Sequence, residues 1–159
     1  MPQSTQGDIF QAAARVQLAI VFGHVGLNEM RHRWVAFASS QPQLRQVRDP
    51  FTELAGHPVE WSQGKWLWFV PEEQNHGMTD TQLAHALEVP LAWASQNGIN
   101  SVATNGVKNT DHGKDTRANR LSVDRRVAWL RDYATQAEQK YGLTVELISL
   151  NDAFVRTLE

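Results

Sequence analysis

The chain has 159 residues and no cysteine, and its 15 lysines and arginines against 17 aspartates and glutamates give a formal net charge of −2. That length suits one domain, 1–159, with a sizeable core, while the near-neutral balance argues against attraction of the whole surface to nucleic acid or acidic membrane. Without thiols there are no disulfides, thiolate metal sites or cysteine nucleophiles. No apolar run approaches the ~20 residues that span a bilayer and the N-terminus lacks a signal-peptide layout, so the expectation is a soluble, cytoplasmic protein with no membrane partner.

In chain order, Met1–Gln6 is polar and expected to fray, and Gln11–Arg15 reads as a short helical turn. Val16–Phe22 is apolar and β-branched, as in a strand buried on both faces. It empties into Gly23-His24-Val25-Gly26-Leu27-Asn28, a loop with two glycines. Asn28 is placed to cap a helix with Met30, Trp34, Phe37 and Ala38 on its apolar side and Arg31, His32 and Arg33 on the others. Residues 39–57 are polar, with Pro42 and Pro50, and read as a long loop with one helical turn near Phe51–Leu54. Val59–Trp61 and Trp66–Val70 form a hairpin whose aromatics belong to the core. Pro71 ends it, and Glu72–Gly77 is a further polar loop.

Thr79 and Gln82 have the spacing of a capping box, and Leu83, Leu87, Leu91 and Ala94 make one apolar face behind it. Pro90 is expected to kink or restart that helix, and Asn97-Gly98 to stop it. A strand over Ile99–Ala103 ends at Thr104 and opens into a polar loop running to Asp115, with Gly106 and Gly113. Ser122 is placed to cap a long helix carrying Val127, Leu130, Ala134, Ala137 and Tyr141, with Gly142 as its stop. Leu143–Leu150 is another strand, and Asn151-Asp152 caps a closing helix, Ala153–Leu158. Such alternation predicts an α/β protein, a central mixed β-sheet covered by helices on both faces in three α/β/α layers. Polar loops after the carboxyl ends of such strands are where anionic ligands sit, since free backbone amides collect there.

No phosphate-binding glycine loop followed by Lys and Ser or Thr, dinucleotide fingerprint, Gly-x-Ser-x-Gly elbow or His-Glu-x-x-His pair is present. The histidines at 24, 32, 57, 76, 85 and 112 are scattered, and Asp111-His112-Gly113-Lys114-Asp115 is one short loop without a second ligand cluster, so neither a metal nor a cofactor is expected. Arg117, Arg120, Arg125, Arg126 and Arg131 read as a solvated helix face because Asp115, Asp124 and Asp132 are interspersed with them.

Gly7-Asp8-Ile9, then Ala19-Ile20-Val21 leading to a loop with Gly26 and Asn28, resembles the opening of a macro domain. The stretch from Ala92 to Ile99, followed by Ser101-Val102-Ala103 and Thr104-Asn105-Gly106-Val107, resembles that family's second half, and Val145–Leu150 with the residues after Asp152 resembles its last strand and helix. The resemblance implies a macro-domain-like fold and binding of ADP-ribose or a related nucleotide, either free or carried on a macromolecule. It makes Asp8 the acceptor for the adenine amino group and Ile9 a main-chain contact. It makes Thr104, Asn105, Gly106 and Val107, with Asn109, the diphosphate loop, their amides donating to phosphate as a backbone nest does. Gly23, Val25 and Gly26 stand beside the distal ribose. Two departures fall on the first and second loops: the family's Asn-Ala-Ala-Asn run is replaced by Phe22–Asn28, and Ser-Thr-Gly becomes Thr104-Asn105-Gly106, with Lys108 where an aromatic is expected.

Three readings follow. The first is binding of ADP-ribose or a related nucleotide through Asp8 and the two glycine loops. The second elaborates the same pocket into an ADP-ribosyl hydrolase or ADP-ribose phosphate hydrolase, with His24, Asn28, Asp111 or His112 positioning the attacking water. The third, the alternative, is a non-enzymatic interaction module that binds a protein or nucleic-acid partner through the Arg117–Arg131 face and the tryptophans. Under the first reading Gly106→Val is expected to block the ligand and leave the fold intact.

Overall fold

The computed structural model describes residues 2–23, 28–72, 78–106 and 117–150, without the side chains of Asn28 and 117–121. Its elements are β1 (Gln3–Gln6), α1 (Ile9–Ala12), β2 (Leu18–Gly23), α2 (Asn28–Ser39), α3 (Pro50–Glu53), β3 (Pro58–Ser62), β4 (Lys65–Pro71), α4 (Asp80–Gln96), β5 (Ser101–Thr104), α5 (Arg117–Tyr141) and β6 (Thr144–Ser149). The six strands form one mixed sheet in the order β1-β6-β5-β2-β4-β3. All neighbours are parallel except β3, which pairs antiparallel with β4 at one edge. Helices cover both faces, so the three-layer α/β/α architecture stands.

Alternation along each strand divides the core. Ala19 and Val21 of β2, Leu67 and Phe69 of β4, Ala103 and Ile148 face α1, α2 and α3, where Phe10, Trp34 and Phe51 pack. Leu18, Ile20 and Phe22 of β2, with Trp68, Val102, Val145 and Leu147, face Leu83, Leu87 and Leu91 of α4 and Val127, Leu130 and Ala134 of α5. The central strand β2 is buried at every position, as a strand enclosed on both faces must be.

Several expectations change. Gln3–Gln6 is an ordered strand, β1, paired with Glu146–Ser149 of β6. A one-sided edge strand needs no apolar alternation to be held, which is why its polar sequence gave no signal. Pro90 lies inside an uninterrupted α4. It costs the carbonyl of Ala86 its intrahelical donor, but it is itself buried on the packed side of the helix, and that packing offsets the loss. Helix α5 begins at Arg117, so Ser122 lies within it and is not its cap; no Gly or Pro in 117–121 stops the helix from starting early. The capping box is present in full, Gln82 N–H donating to Thr79 Oγ1 at 3.2 Å and Thr79 N–H to Gln82 Oε1 at 3.0 Å. The closing helix expected over 153–158 lies outside the described residues.

Residues 40–57 are fixed by anchors more than by regular structure. Trp34 Nε1 donates to Val47 O at 2.9 Å, Gln43 Nε2 donates to Trp61 O, and Asp49 caps α3 through Phe51 N–H at 3.1 Å. On the opposite face the Tyr133 hydroxyl donates to Ala84 O at 3.2 Å, and burial, with Tyr141 and Glu88 adding smaller contributions, pushes its pKa up to about 12. Above its ordinary value near 10 the folded chain keeps a proton that the unfolded chain releases, so this group's contribution to stability falls as pH rises from about 10 through about 12. Thermal unfolding followed across that window should show a declining Tm whose slope is shallower in Tyr133→Phe.

Candidate functional site

In a parallel sheet the crevice for a ligand opens where two adjacent strands send their outgoing connections to opposite sides. Here β2 leads through α2 towards β3 on one face, whereas its neighbour β5 leads through α5 towards β6, in the opposite direction, on the other; β4, on the far side of β2, leads through α4 back across β2 to β5. The carboxyl ends of β2 and β5 therefore bound a split at the centre of the sheet. Gln6, Ser149, Thr104, Gly23 and Pro71, the last residues of the five parallel strands, lie along the same edge.

The register pairs Leu18, Ala19 and Ile20 of β2 with Val102, Ala103 and Thr104 of β5, and the backbone ladder stops there. Beyond it a side chain takes over. Phe22 N–H donates to Asn105 Oδ1 at 2.7 Å, and Asn105 Nδ2 donates to Phe22 O at 3.0 Å. Asn105, expected in the ligand loop, thus spends its amide on the neighbouring strand. That pair of bonds sets the direction in which the main chain leaves β5.

Gly106 and Gly23 stand where packing leaves little room for a side chain. A Cβ on Gly106 would stand 3.0 Å from Phe22 Cε2 and 3.1 Å from Leu83 Cδ1, so the main chain lies directly on the core side chains of β2 and α4. Gly23 has φ +154°, and a Cβ there would meet Met30 Cε at 3.0 Å and Phe51 Cζ at 3.2 Å. Its carbonyl accepts from Glu72 N–H at 3.0 Å, extending the β2–β4 ladder to the same edge.

Thr104 is only 2% exposed, and its hydroxyl has no hydrogen-bond partner among the described residues. It points to the α4–α5 side, beside a small apolar void lined by Leu87, Leu130 and Tyr133 among others, so any contact Thr104 offers a ligand comes from its main chain. Ile9 is likewise buried, 2% exposed, on the α2 side. Asp8 stands at the end of β1, where Gly7 N–H donates to Ser149 O. It caps α1, Phe10 N–H donating to its Oδ1 at 3.2 Å, and Arg33 Nε approaches the same oxygen at 3.5 Å. Both contacts fall on Oδ1. Arg33, expected on a free face of α2, instead bridges Asp8 and Glu29, the latter at 3.0 Å.

His24, Val25, Gly26, Val107, Asn109, Asp111 and His112 lie outside the described residues, as does the side chain of Asn28. Among the described residues no three His, Asp or Glu side chains are grouped to hold a metal ion, and no helix is long and apolar enough to cross a membrane.

The expected solvated arginine face is corrected at Arg126, 2% exposed and the only arginine among the large fully buried side chains of the described residues. Its Nη2 donates to Met78 O and its Nε faces Asp80 Oδ1 at 3.1 Å, a contact of charge more than of aligned hydrogen bonding. Burial lowers its pKa from the usual arginine value, and the charge of Asp80 opposes the shift. The signal was legible: Val123, Arg126, Leu130 and Ala134 follow the three- and four-residue steps of the helix's apolar stripe. Arg125 is exposed and reaches the other Asp80 oxygen at 3.5 Å. Arg131 approaches Ser4 Oγ at 3.4 Å.

Two substitutions follow from this packing. Gly106→Val should destabilise by about 1–3 kcal/mol, the usual cost of overpacking, measured by chemical denaturation. It is therefore not the fold-neutral block expected from sequence. Thr104→Val keeps the shape and removes an unpaired buried hydroxyl, so it should leave stability unchanged or raise it by about 1 kcal/mol.

Compared with known proteins, the chain matches no protein-family model, and no curated protein is significantly similar to it.

Proposed function

We propose that the chain binds ADP-ribose or a related ADP-ribosyl nucleotide along the carboxyl edge of the sheet. The diphosphate would lie over the β2–β5 split and the adenine towards Asp8. The observation that carries this reading is the split itself, between adjacent strands whose chains turn to opposite layers and run towards opposite margins of the sheet, β2 to β3 and β5 to β6, with a glycine on each side of it at 23 and 106. Asp8 adds a second fixed point on the same edge. β1 lies two strands from β5 and three from β2, so Asp8 stands roughly 10–14 Å from the split at ~4.8 Å per strand. A mononucleotide reaches one end of such a track. Two ribosides joined by a diphosphate cover both.

In this reading Asp8 Oδ2 accepts from the exocyclic amino group of adenine while Oδ1 keeps its contacts with Phe10 and Arg33. The amides following Thr104 donate to phosphate, with the main chain aimed by Asn105. Hydrolysis of an ADP-ribosyl or phosphate bond would call on His24, Asn28, Asp111 and His112, which follow the same two strands in the chain.

Isothermal titration calorimetry with ADP-ribose, AMP and ribose 5-phosphate tests the reading. ADP-ribose should bind with a micromolar Kd, clearly tighter than either fragment; absence of heat with all three would reject it. Asp8→Asn retains an N-cap acceptor but turns a donor towards the adenine amino group. It should weaken ADP-ribose and AMP by about 1–3 kcal/mol and leave ribose 5-phosphate unaffected.

A further inference from the structure

The most deeply buried charge in the described structure has no role in the reading above, yet its partner Asp80 stands one helical turn from Leu83, which packs at Gly106. Arg126 of α5 reaches across to the start of α4, where it holds Met78 O through Nη2 and Asp80 through Nε. Asp80 is the first residue of α4. Leu83, three residues on, is one of the two side chains on which Gly106 rests, and the other is Phe22. Phe22 in turn is held by Asn105 through both of its backbone groups. The α4 capping box pairs the amides of Thr79 and Gln82 without help from α5, and a cation gains nothing from the positive end of a helix. Helix-end chemistry therefore does not explain a guanidinium driven into an apolar seam against its desolvation cost.

We propose that Arg126 is a positioning residue that fixes the first turn of α4 against the end of β5, and through Leu83 holds Gly106 and Asn105 in the conformation that defines the β2–β5 split. The contacts run unbroken from Arg126 to Asp80, along one turn to Leu83, then to Gly106 and Phe22. Its bearing on affinity rests on the proposed nucleotide site; its bearing on the split does not.

The Phe22 amide is a direct reporter, because its proton is held by Asn105 Oδ1. Residue-resolved hydrogen exchange well below Tm, on the full chain, compares wild type with Arg126→Met and Arg126→Lys. Arg126→Met should accelerate exchange at both Leu83 and Phe22 by tenfold or more, while Ala19 and Val102, deeper in the same sheet, stay protected. Arg126→Lys keeps a cation beside Asp80 without the fork that also reaches Met78, and should fall between. If Leu83 exchanges faster and Phe22 does not, or if neither changes, Arg126 staples two helices and nothing more, and the proposal is overturned. Should Arg126→Met fail to fold, the lysine variant decides by the same two amides. In the binding arm, Arg126→Met should raise the Kd for ADP-ribose at least tenfold at a temperature where circular dichroism shows it folded. A wild type that binds no ADP-ribose overturns the nucleotide site and leaves the exchange result to decide the coupling.

Discussion

The side-chain amide of Asn105 stands where a peptide group would stand if β5 ran two residues further. The β2–β5 ladder ends at Ile20 and Thr104, whereas β2 and β4 stay in register as far as Gly23 and Pro71. With no substitute, the N–H and C=O of Phe22 would be left part-buried without a partner, at a cost of about 1–3 kcal/mol for each. Asn105 supplies both partners from one side chain. The strands stay together through Phe22 while the main chain of Gly106 turns away across the Phe22 ring. Glycine at 106, the aromatic at 22 and the leucine at 83 are consequences of that one arrangement, since each occupies the space it leaves.

The two helical layers are built differently around it. On the α2 side the core is aromatic: Phe10, Trp34, Phe37 and Trp61 form a chain of ring contacts with centroids 5.0–6.1 Å apart, and Trp34 and Phe51 each meet Phe69 edge-on. Large rings let one layer cover its half of the sheet with a single long helix, two one-turn helices and an irregular segment. On the α4–α5 side the core is chiefly leucine, valine and alanine, brought by two long helices at regular spacing, and its irregularities are polar: Thr104, Tyr133 and Arg126. At the amino edge, the buried Glu146 is held by Arg15 at 2.5 Å, which pins the turn after α1 to the sheet. Glu138 accepts from Val145 N–H at 2.9 Å, one residue before the β1–β6 pairing begins.

Wherever burial on both faces or a helical stripe imposed a pattern, the sequence carried it. β2, β4, the face of α4 and the stop at Gly142 can all be read from residue type and spacing, and so can the α/β/α layering. What escaped was what pattern does not encode. β1 is polar because only one side of it is bonded, and α5 starts early because a plausible cap at Ser122 is not a compulsory one. Arg126 is the exception, because the spacing of its apolar stripe marked it for burial and only its charge argued for water. At the candidate site, the placement of Gly23 and Gly106 at the carboxyl ends of β2 and β5 was legible. The occupation of Asn105, the burial of Thr104 and the pairing of Asp8 with Arg33 were not, because each depends on a partner more than twenty residues away in sequence.

The sheet's two open margins have a bearing on self-association. β1 is four residues of Gln, Ser and Thr, too short and too polar to template an apolar strand from another chain. β3, at the opposite margin, begins with Pro58 and shifts register between Glu60 and Ser62, so its outer row of backbone groups is interrupted. Neither margin offers a long, flat run on which a second sheet could be extended. The apolar strand β2, Leu18–Gly23, has the length and composition of a segment that could stack in a fibril, and it is enclosed between β5 and β4 at the centre. The order of strands thus protects the chain from amyloid-like growth for as long as the outer pairs stay closed.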